Sequence, residues 1–443
     1  MNKTLLSFIL PIVFLISCSS PTIEKQITIG GDDKDEIRAM CLTKDGGFIV
    51  GGTSFSQKQK EKSMDNHGIL YSDYWVIKFN AKGEIQWDKT IGGIFAEYLR
   101  GIATTDDGGY IIAGESSSGI SGQKSENSRG SADIWIVKLD SVGNIQWDKT
   151  LGGAGEDICN TVRQTSDGGY ILGGASNSNI SGDKTENCRG DFDFWAIKLD
   201  KSGNIQWNKT LGGNKYEFCG GVELNDDGSM IFCGVSASDA SGEKSENNRG
   251  SEGDSWIIKL DSIGNIQWDK TYGGKGNELA YAIRKNGDDY LLACYSNSDK
   301  GNEKSENSKG SGDYWIVKID GLGNKIWDKT IGGKGNDDPS NGSLQLTQDG
   351  GYIIGGMSDS GSSGDKTDSC RGYRDFWVVK IDKAGKVQWD KTIGGNDYDE
   401  LKGIEEISKN HFVLTGLSYS GISGDKTDAS KGASDYWIIF LKE

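Results

Sequence analysis

Between Asp193 and Gly213 two apolar runs flank the polar stretch Asp200-Lys-Ser-Gly203-Asn204. The first, Phe194-Trp195-Ala-Ile-Lys198-Leu, is nearly continuous, and the second, Ile205-Gln-Trp207-Asn-Lys-Thr210-Leu, alternates. Short β-prone runs around a glycine-bearing polar break predict an antiparallel hairpin. Upstream, Thr161-Val-Arg-Gln-Thr165 and Tyr170-Ile-Leu-Gly-Gly-Ala-Ser176 flank Ser166-Asp167-Gly168-Gly169 in the same way. A long loop rich in Ser, Gly and Asn joins the two hairpins, so the pattern predicts four strands in the order A, B, long BC loop, C, D.

This unit recurs through the chain. Its first tryptophan stands at Trp75, Trp135, Trp195, Trp256, Trp315, Trp377 and Trp437. Its second stands at Trp87, Trp147, Trp207, Trp268, Trp327 and Trp389, and together these are all 13 tryptophans. Seven copies with a period of about 60 residues, each offering four short strands, predict propeller blades. The ends predict how the ring closes. Ile23-Glu-Lys25-Gln-Ile-Thr28-Ile29-Gly-Gly31 aligns with a strand D that has Lys25 in place of tryptophan, and the chain stops after the C-like run from Asp435 to Glu443. Pairing the two pieces makes one blade and removes the open edges of a linear stack. The expected fold is therefore all-β: a closed seven-bladed β-propeller over residues 23–443, with four antiparallel strands per blade and one blade completed by an N-terminal strand. Each tryptophan packed between blades would bury roughly 150–250 Å², a contribution of a few kcal/mol at about 25 cal/mol per Å².

Composition adds limits. Glycine is abundant (66) and proline scarce (3), which suits many tight turns. A net charge of −16 speaks against general nucleic-acid binding, which leaves a basic footprint. Apart from Cys18, seven cysteines (41, 159, 188, 219, 233, 294 and 370) form no Cys-x-x-Cys pair, so neither a disulfide ladder nor a structural zinc site is indicated. Cys188 and Cys370 share one loop position, where exposure is open. With two histidines, no zincin motif and no phosphate-binding glycine loop, metal hydrolysis and nucleotide chemistry have no support, and no cofactor is expected.

The first residues read as a leader. Met1-Asn-Lys3 is basic, and Leu5 to Ile16 is apolar but too short to span a bilayer, which suits a signal peptide. Leu15-Ile16-Ser17-Cys18 resembles the bacterial lipobox. The resemblance implies that residues 1–17 are removed, that Cys18 is acylated, and that 18–22 form a tether.

Candidate chemistry lies at three places. Seven acids follow the double glycine at a fixed offset: Asp35, Glu97, Asp157, Glu217, Glu278, Asp337 and Asp399. An acid repeated in every blade is symmetric about the axis, whereas a glycosidase needs two unlike carboxylates across one bond. Their expected role is to accept backbone N–H groups where strand D passes to the next strand A. A cation held among several of them is the alternative. The long BC loops, such as Ser181-Gly-Asp-Lys184-Thr-Glu186-Asn-Cys188-Arg189-Gly190, would share one face with the DA loops, and the seven acids are candidate residues of that binding face. Their Lys, Glu and Arg are expected to pair within each loop. The first copy breaks the pattern with a basic segment from Gln57 to Tyr71 that includes His67, a further binding-face candidate. In strand A one position varies as Cys41, Ala103, Arg163, Glu223, Arg284, Gln345 and Glu405, and is expected to line the channel.

Lys380-Ile-Asp382-Lys-Ala-Gly385-Lys386-Val-Gln-Trp389 resembles the tryptophan-docking repeat of quinoprotein (PQQ-like) propellers, although it is one residue shorter, lacks the threonine, and recurs in a ring of seven rather than eight. The resemblance implies blade architecture more than quinone chemistry. The blocks Asp313-Tyr-Trp315-Ile-Val-Lys318, Gly143-Asn-Ile-Gln-Trp147-Asp-Lys-Thr150 and Asp107-Gly-Gly-Tyr110-Ile resemble repeat lipoproteins and surface proteins of Bacteroidetes-type bacteria. The function this implies is a non-catalytic, lipid-anchored scaffold of the cell envelope, monomeric and held at the outer membrane, that presents the BC and DA loop face to a protein or glycan. The alternative is an endoglucanase-like glycoside hydrolase using acids from two unlike blades.

Overall fold

The computed structural model describes residues 20–59, 61–250 and 252–443. The expected leader and Cys18 lie outside them. The described residues form 28 strands in seven four-stranded antiparallel sheets. Blade 3 is representative: strand A is Asp157–Gln164, B is Tyr170–Ser176, C is Asp193–Leu199 and D is Ile205–Leu211, hydrogen-bonded in that order. The C–D turn forms because Asp200 Oδ1 accepts the N–H groups of Ser202 and Asn204 while Gly203 takes a φ of 82°, a conformation open to glycine.

The ring closes as the two chain ends predict. Blades 1 to 6 run A to D in sequence order, and blade 7 combines Asp399–Ser408, His411–Ser418 and Asp435–Lys442 with the N-terminal strand Thr22–Ile29. Thr28 pairs with Trp437 as Thr210 pairs with Trp195, so the register of the closing strand is that of an ordinary strand D.

Strand A differs from the expectation. In blade 3 it starts at Asp157 rather than Thr161, and a bulge falls between Cys159 and Thr161. The extra residue breaks the period-2 alternation, so only the half after the bulge shows as a strand in the sequence. The bulge recurs at this place in other blades, between Ile37 and Ala39 and between Leu99 and Gly101, for example.

The core lies between blades. All seven first tryptophans are fully buried, and in the five blades where an aromatic residue precedes it, that residue meets the tryptophan of the next blade. Tyr74 lies 5.2 Å from Trp135, Phe194 5.0 Å from Trp256, and Phe376 5.1 Å from Trp437. The second tryptophans are mostly half-buried and cover the C–D turn of the following blade. A Cβ on Gly264 would come within 3.2 Å of the Trp207 ring, whose Nε1 donates to Ser262 O. At the closing junction Lys25 brings no ring, and Phe440 supplies it instead. Phe440 stands where Lys198 stands in blade 3; a Cβ on Gly83 would meet its ring at 2.6 Å, and the Lys25 ammonium lies 5.5 Å from the ring centre.

Strand A lines the axis. Its varied position forms a chain of contacts there: Arg284 donates to Gln345 (3.1 Å) and lies 3.9 Å from Glu223, and Gln345 donates to Glu405 (2.8 Å). Burial pulls the Arg284 guanidinium down to about 10 and pushes the Glu405 carboxyl up to about 7. The space left at this level is about 90 Å³.

Candidate functional site

The seven repeated acids sit beneath the loop face and organise it. Each is the first residue of its strand A and is 0% exposed. Each accepts the N–H of the second glycine of the preceding pair: Gly31 to Asp35 at 2.7 Å, Gly93 to Glu97 at 2.9 Å and Gly153 to Asp157 at 2.7 Å. Gly213, Gly274, Gly333 and Gly395 repeat the bond to Glu217, Glu278, Asp337 and Asp399. The expected backbone-accepting role is thus present in all seven blades.

These acids have buried companions that the sequence reading did not single out. Strand C of every blade also begins with a buried acid: Asp73, Asp133, Asp193, Asp254, Asp313, Asp375 and Asp435. A Cβ on Gly212 would lie 2.4 Å from Asp193 and 2.6 Å from Glu217, so the two carboxyls of neighbouring blades face one another across that glycine. Burial, then the charge of the neighbouring acid, pushes carboxyls of these pairs upward: Asp35, Asp133, Asp193 and Asp399 to about 6, Glu97 and Asp254 to about 7. A buried lysine from each BC loop stands over the adjacent strands. Lys184 donates to Thr210 Oγ1 at 2.7 Å and lies 5.6 Å from the Trp195 ring centre. Burial draws Lys62, Lys124 and Lys426 down to about 8. Among the described residues no three of His, Cys, Asp and Glu converge as a metal site would require.

The BC loops are cross-linked between blades as well as within them. Glu186 accepts from Lys209 and from the Thr210 N–H of its own blade. The arginine reaches the next loop: Arg129 to Asp183 (3.0 Å), Arg189 to Glu243 (2.6 Å), Arg249 to Glu303 (3.0 Å) and Arg371 to Asp425 (3.0 Å), and Arg249 also pairs with Glu246 of its own loop (2.9 Å) as expected. Lys309 with Asp365 and Lys431 with Glu61 complete the series. One junction differs. His67 takes the arginine's place, and the acid opposite is replaced by Gln123, which accepts the N–H of Gly92. His67 turns inward to Asp73 (2.8 Å), and that hydrogen bond raises its basicity. Cys188 and Cys370 are half-buried free thiols, and burial pushes Cys370 up to about 11.

The same junction carries an apolar patch. The preceding loop ends in Ile69, Leu70 and Tyr71, exposed by 87%, 83% and 42%. The adjoining DA loop supplies Ile94 and Phe95 where other blades have polar or small residues such as Asn214-Lys215, Lys275-Gly276 and Asn396-Asp397. Tyr71 and Phe95 meet edge to face at 5.4 Å, and a Cβ on Gly68 would touch Ile94 O at 2.6 Å, so the two loops form one surface.

A second asymmetric feature lies at the axial mouth on this face. The bulge residues of strand A ring it as Arg38, Arg100, Asn160, Gly220, Tyr281, Ser340 and Lys402. A cavity of about 250 Å³ there is lined by Arg38, Arg100, Asn160, Tyr281, Asp338 and Lys402, among others. Each cation has an acid of its own: Arg38 with Glu36 (2.8 Å), Arg100 with Glu115 (3.1 Å), and Lys402 with Glu400. Asp338 stands apart. Its Oδ1 is buried without a donor among the described residues, and burial together with the charge of Glu400 pushes its carboxyl up to about 7. The larger space on the opposite face, about 400 Å³ between blades 1 and 2, is lined by Lys78 and Asp45. That pair recurs as Lys138 with Asp107 and Lys198 with Asp167, so this space belongs to the repeat.

The mouth and the patch were visible in the sequence only as deviations from the repeat. Of the sequence candidates, the seven acids lie under the face and His67 lies beside the patch; Ile69 and Leu70 fell within the segment from Gln57 to Tyr71, read there as basic rather than apolar, while Phe95, Arg38, Arg100 and Asp338 were not singled out. Aligning the copies column by column would have marked them.

No family model matches the chain. A stretch of 171 residues is 23% identical to the regulatory protein FlaEY of Caulobacter vibrioides, covering 37% of this chain and 18% of that protein. The chain thus matches under a fifth of that relative's length. Among solved structures it is similar to the WD40 β-propeller domain of Doa1 (TM-score 0.52, 11% identity, 96% of this chain and 97% of that one). It is also similar to a protein of unknown function from Dyadobacter fermentans (TM-score 0.48, 9% identity, 96% and 99%). At these identities the likeness is one of fold.

Proposed function

We propose that the chain is a non-catalytic, lipid-anchored propeller of the cell envelope that recruits a protein partner through its BC and DA loop face. The observation that carries this reading is the patch of Ile69, Leu70, Tyr71, Ile94 and Phe95. A contiguous exposed apolar surface of about a few hundred Å² on a soluble domain is characteristic of a contact site. Rigid aromatic anchors within it suit the centre of a protein interface. The scaffold beneath is stiffened by the cross-linked loops, so little ordering cost remains to be met on binding. A photo-crosslinker at position 70 is expected to capture one envelope protein. Leu70→Asp is expected to weaken that association about tenfold or more without changing the melting midpoint. Equal capture by the Asp variant would refute the patch as the contact.

The anchor belongs to the same proposal. Thr22 pairs with Lys442 at the end of strand C, so the tether joins the rim on the side of the A–B and C–D turns, away from the loop face. A tether of about four residues spans at most ~14 Å, which would hold that rim close to the bilayer. Cys18→Ala is expected to shift the protein from the membrane to the soluble fraction, and continued fractionation with membranes would rule out acylation there.

A further inference from the structure

We infer that the axial mouth is a binding site for a neutral, hydroxyl-rich ligand, a sugar ring, separate from the apolar patch. The inference starts from what the mouth already satisfies. Arg38, Arg100 and Lys402 are each neutralised by a carboxylate of their own blade or hairpin, so an incoming anion would have to displace Glu36, Glu115 or Glu400. A cation would find only Asp338, since Glu36, Glu115 and Glu400 are already paired and no three of His, Cys, Asp and Glu converge among the described residues. Neither kind of ion is matched by the site.

What remains unused is a set of donors and one acceptor. Arg38 spends one terminal nitrogen on Glu36, and Arg100 uses its Nε on Glu115, which leaves guanidinium N–H groups on both without an acceptor among the described residues. Asp338 Oδ1 has no donor among the described residues, although it is enclosed. Nine carboxylate oxygens at the starts of strands A and C are likewise enclosed without a donor among the described residues, so what sets Asp338 apart is that it lines this cavity, where a ligand can supply the donor. A hydroxyl both donates and accepts, and vicinal hydroxyls at ring spacing can serve an arginine and a carboxyl together. Tyr281 also lines the cavity, and its hydroxyl interacts with the Asp338 carboxyl, so the pair presents a further hydroxyl to a ligand there.

Position and size narrow the ligand further. The second residue of strand A is Glu36, Tyr98, Ile158, Phe218, Leu279, Asp338 and Glu400 in turn, so Asp338 is one of three acids there and the one without its own basic partner in the adjacent bulge, where Ser340 stands. A cavity of about 250 Å³ falls just below the ~300–1,000 Å³ of pockets for drug-sized ligands. It therefore takes one or two rings at a chain end rather than the middle of a polymer.

The test uses the full chain in detergent, titrated with neutral disaccharides of glucose, mannose, galactose and N-acetylglucosamine, with glucuronate and putrescine as charged comparisons. Binding is read by ligand-observed NMR. At least one neutral disaccharide is expected to bind, Asp338→Ala and Arg100→Ala are each expected to weaken it about tenfold or more, and Asp338→Asn, which keeps the shape, is expected to weaken it less than the Ala variant. Leu70→Asp is expected to leave sugar binding unchanged, so this inference and the protein-recruiting reading fail separately. Absence of binding across the neutral panel, tighter binding of glucuronate or putrescine, or indifference to both Asp338 variants in folded protein would overturn the inference.

Discussion

The melting midpoint is expected to be higher at pH 5 than at pH 8, by on the order of 10 °C. The cause is the buried belt at the starts of strands A and C. Asp35, Asp133, Asp193 and Asp399 are raised from 3.8 to about 6, Asp254 from 3.8 to about 7, and Glu97 from 4.5 to about 7, chiefly by burial. In the unfolded chain these groups lose their protons near their ordinary values, while the folded chain still holds them. Between about pH 4 and 7 the native state therefore binds more protons, and stability falls as pH rises through that window. One group moved by two units corresponds to about 3 kcal/mol. The pairs share protons, so the belt delivers less than the sum of its members. Two other sets lie outside the window. Asp45, Asp107, Asp167 and Asp349, where burial is the largest single effect but hydrogen bonds and lysine charge together outweigh it and hold the carboxyls down to about 2, lose their stabilising effect only on strong acidification. Lys62, Lys124 and Lys426, lowered to about 8, add stability only as pH rises from 8 towards 10.5. Calorimetry at constant ionic strength would check this, and Asp193→Asn should flatten the slope. A midpoint that stays level or rises from pH 5 to pH 8 would show that the belt is fully ionised when folded.

The belt also shows which parts of the molecule were legible in the sequence. Blade number, strand order and the split closing blade could all be read because they depend on local alternation and on the tryptophan period. The acids at the starts of strands A could be read as backbone acceptors, since a fixed offset from a glycine pair is a local signal. Their pairing with the strand C acids could not, because Asp193 and Glu217 are brought together only by the blade-to-blade step. The arginine of the BC loop was legible only in part for the same reason: Arg249 does pair with Glu246 of its own loop, but Arg189, three residues from Glu186, finds its acid at Glu243 in the next copy. The bulge hid the mouth. It detaches Arg38, Arg100 and Lys402 from the alternating half of strand A, so they read as loop residues. Ile94-Phe95 did depart from the repeat, but its meaning depended on Tyr71, which the fold lays against it.

Deleting residues 22–31 is expected to lower the melting midpoint by more than about 10 °C, or to leave the protein insoluble. The segment supplies a whole strand, with Thr22 to Ile29 paired to Ile29's partner Tyr436 and onward to Lys442. It also supplies Gln26, which accepts from Trp437 Nε1 at 3.1 Å and donates to Asp425 O at 2.8 Å, and Gly31, which donates to Asp35. Without it Tyr436-Trp437-Ile-Ile-Phe440-Leu441 becomes an open edge strand, apolar, β-prone and uncharged, which is the composition that pairs with other chains. Loss of Lys25 further exposes Phe440, whose ring does at this junction what tryptophan does at the others. Two results together identify the strand as the cause: Ile27→Asp with Ile29→Asp should reproduce part of the loss in the full chain, and a synthetic peptide spanning 22–31 should restore solubility of the deleted form. Unchanged melting with a monomeric, soluble product would mean that blade 7 stands on three strands, and the ring would then be held by the packing of Trp437 against Phe376 rather than by the joined ends.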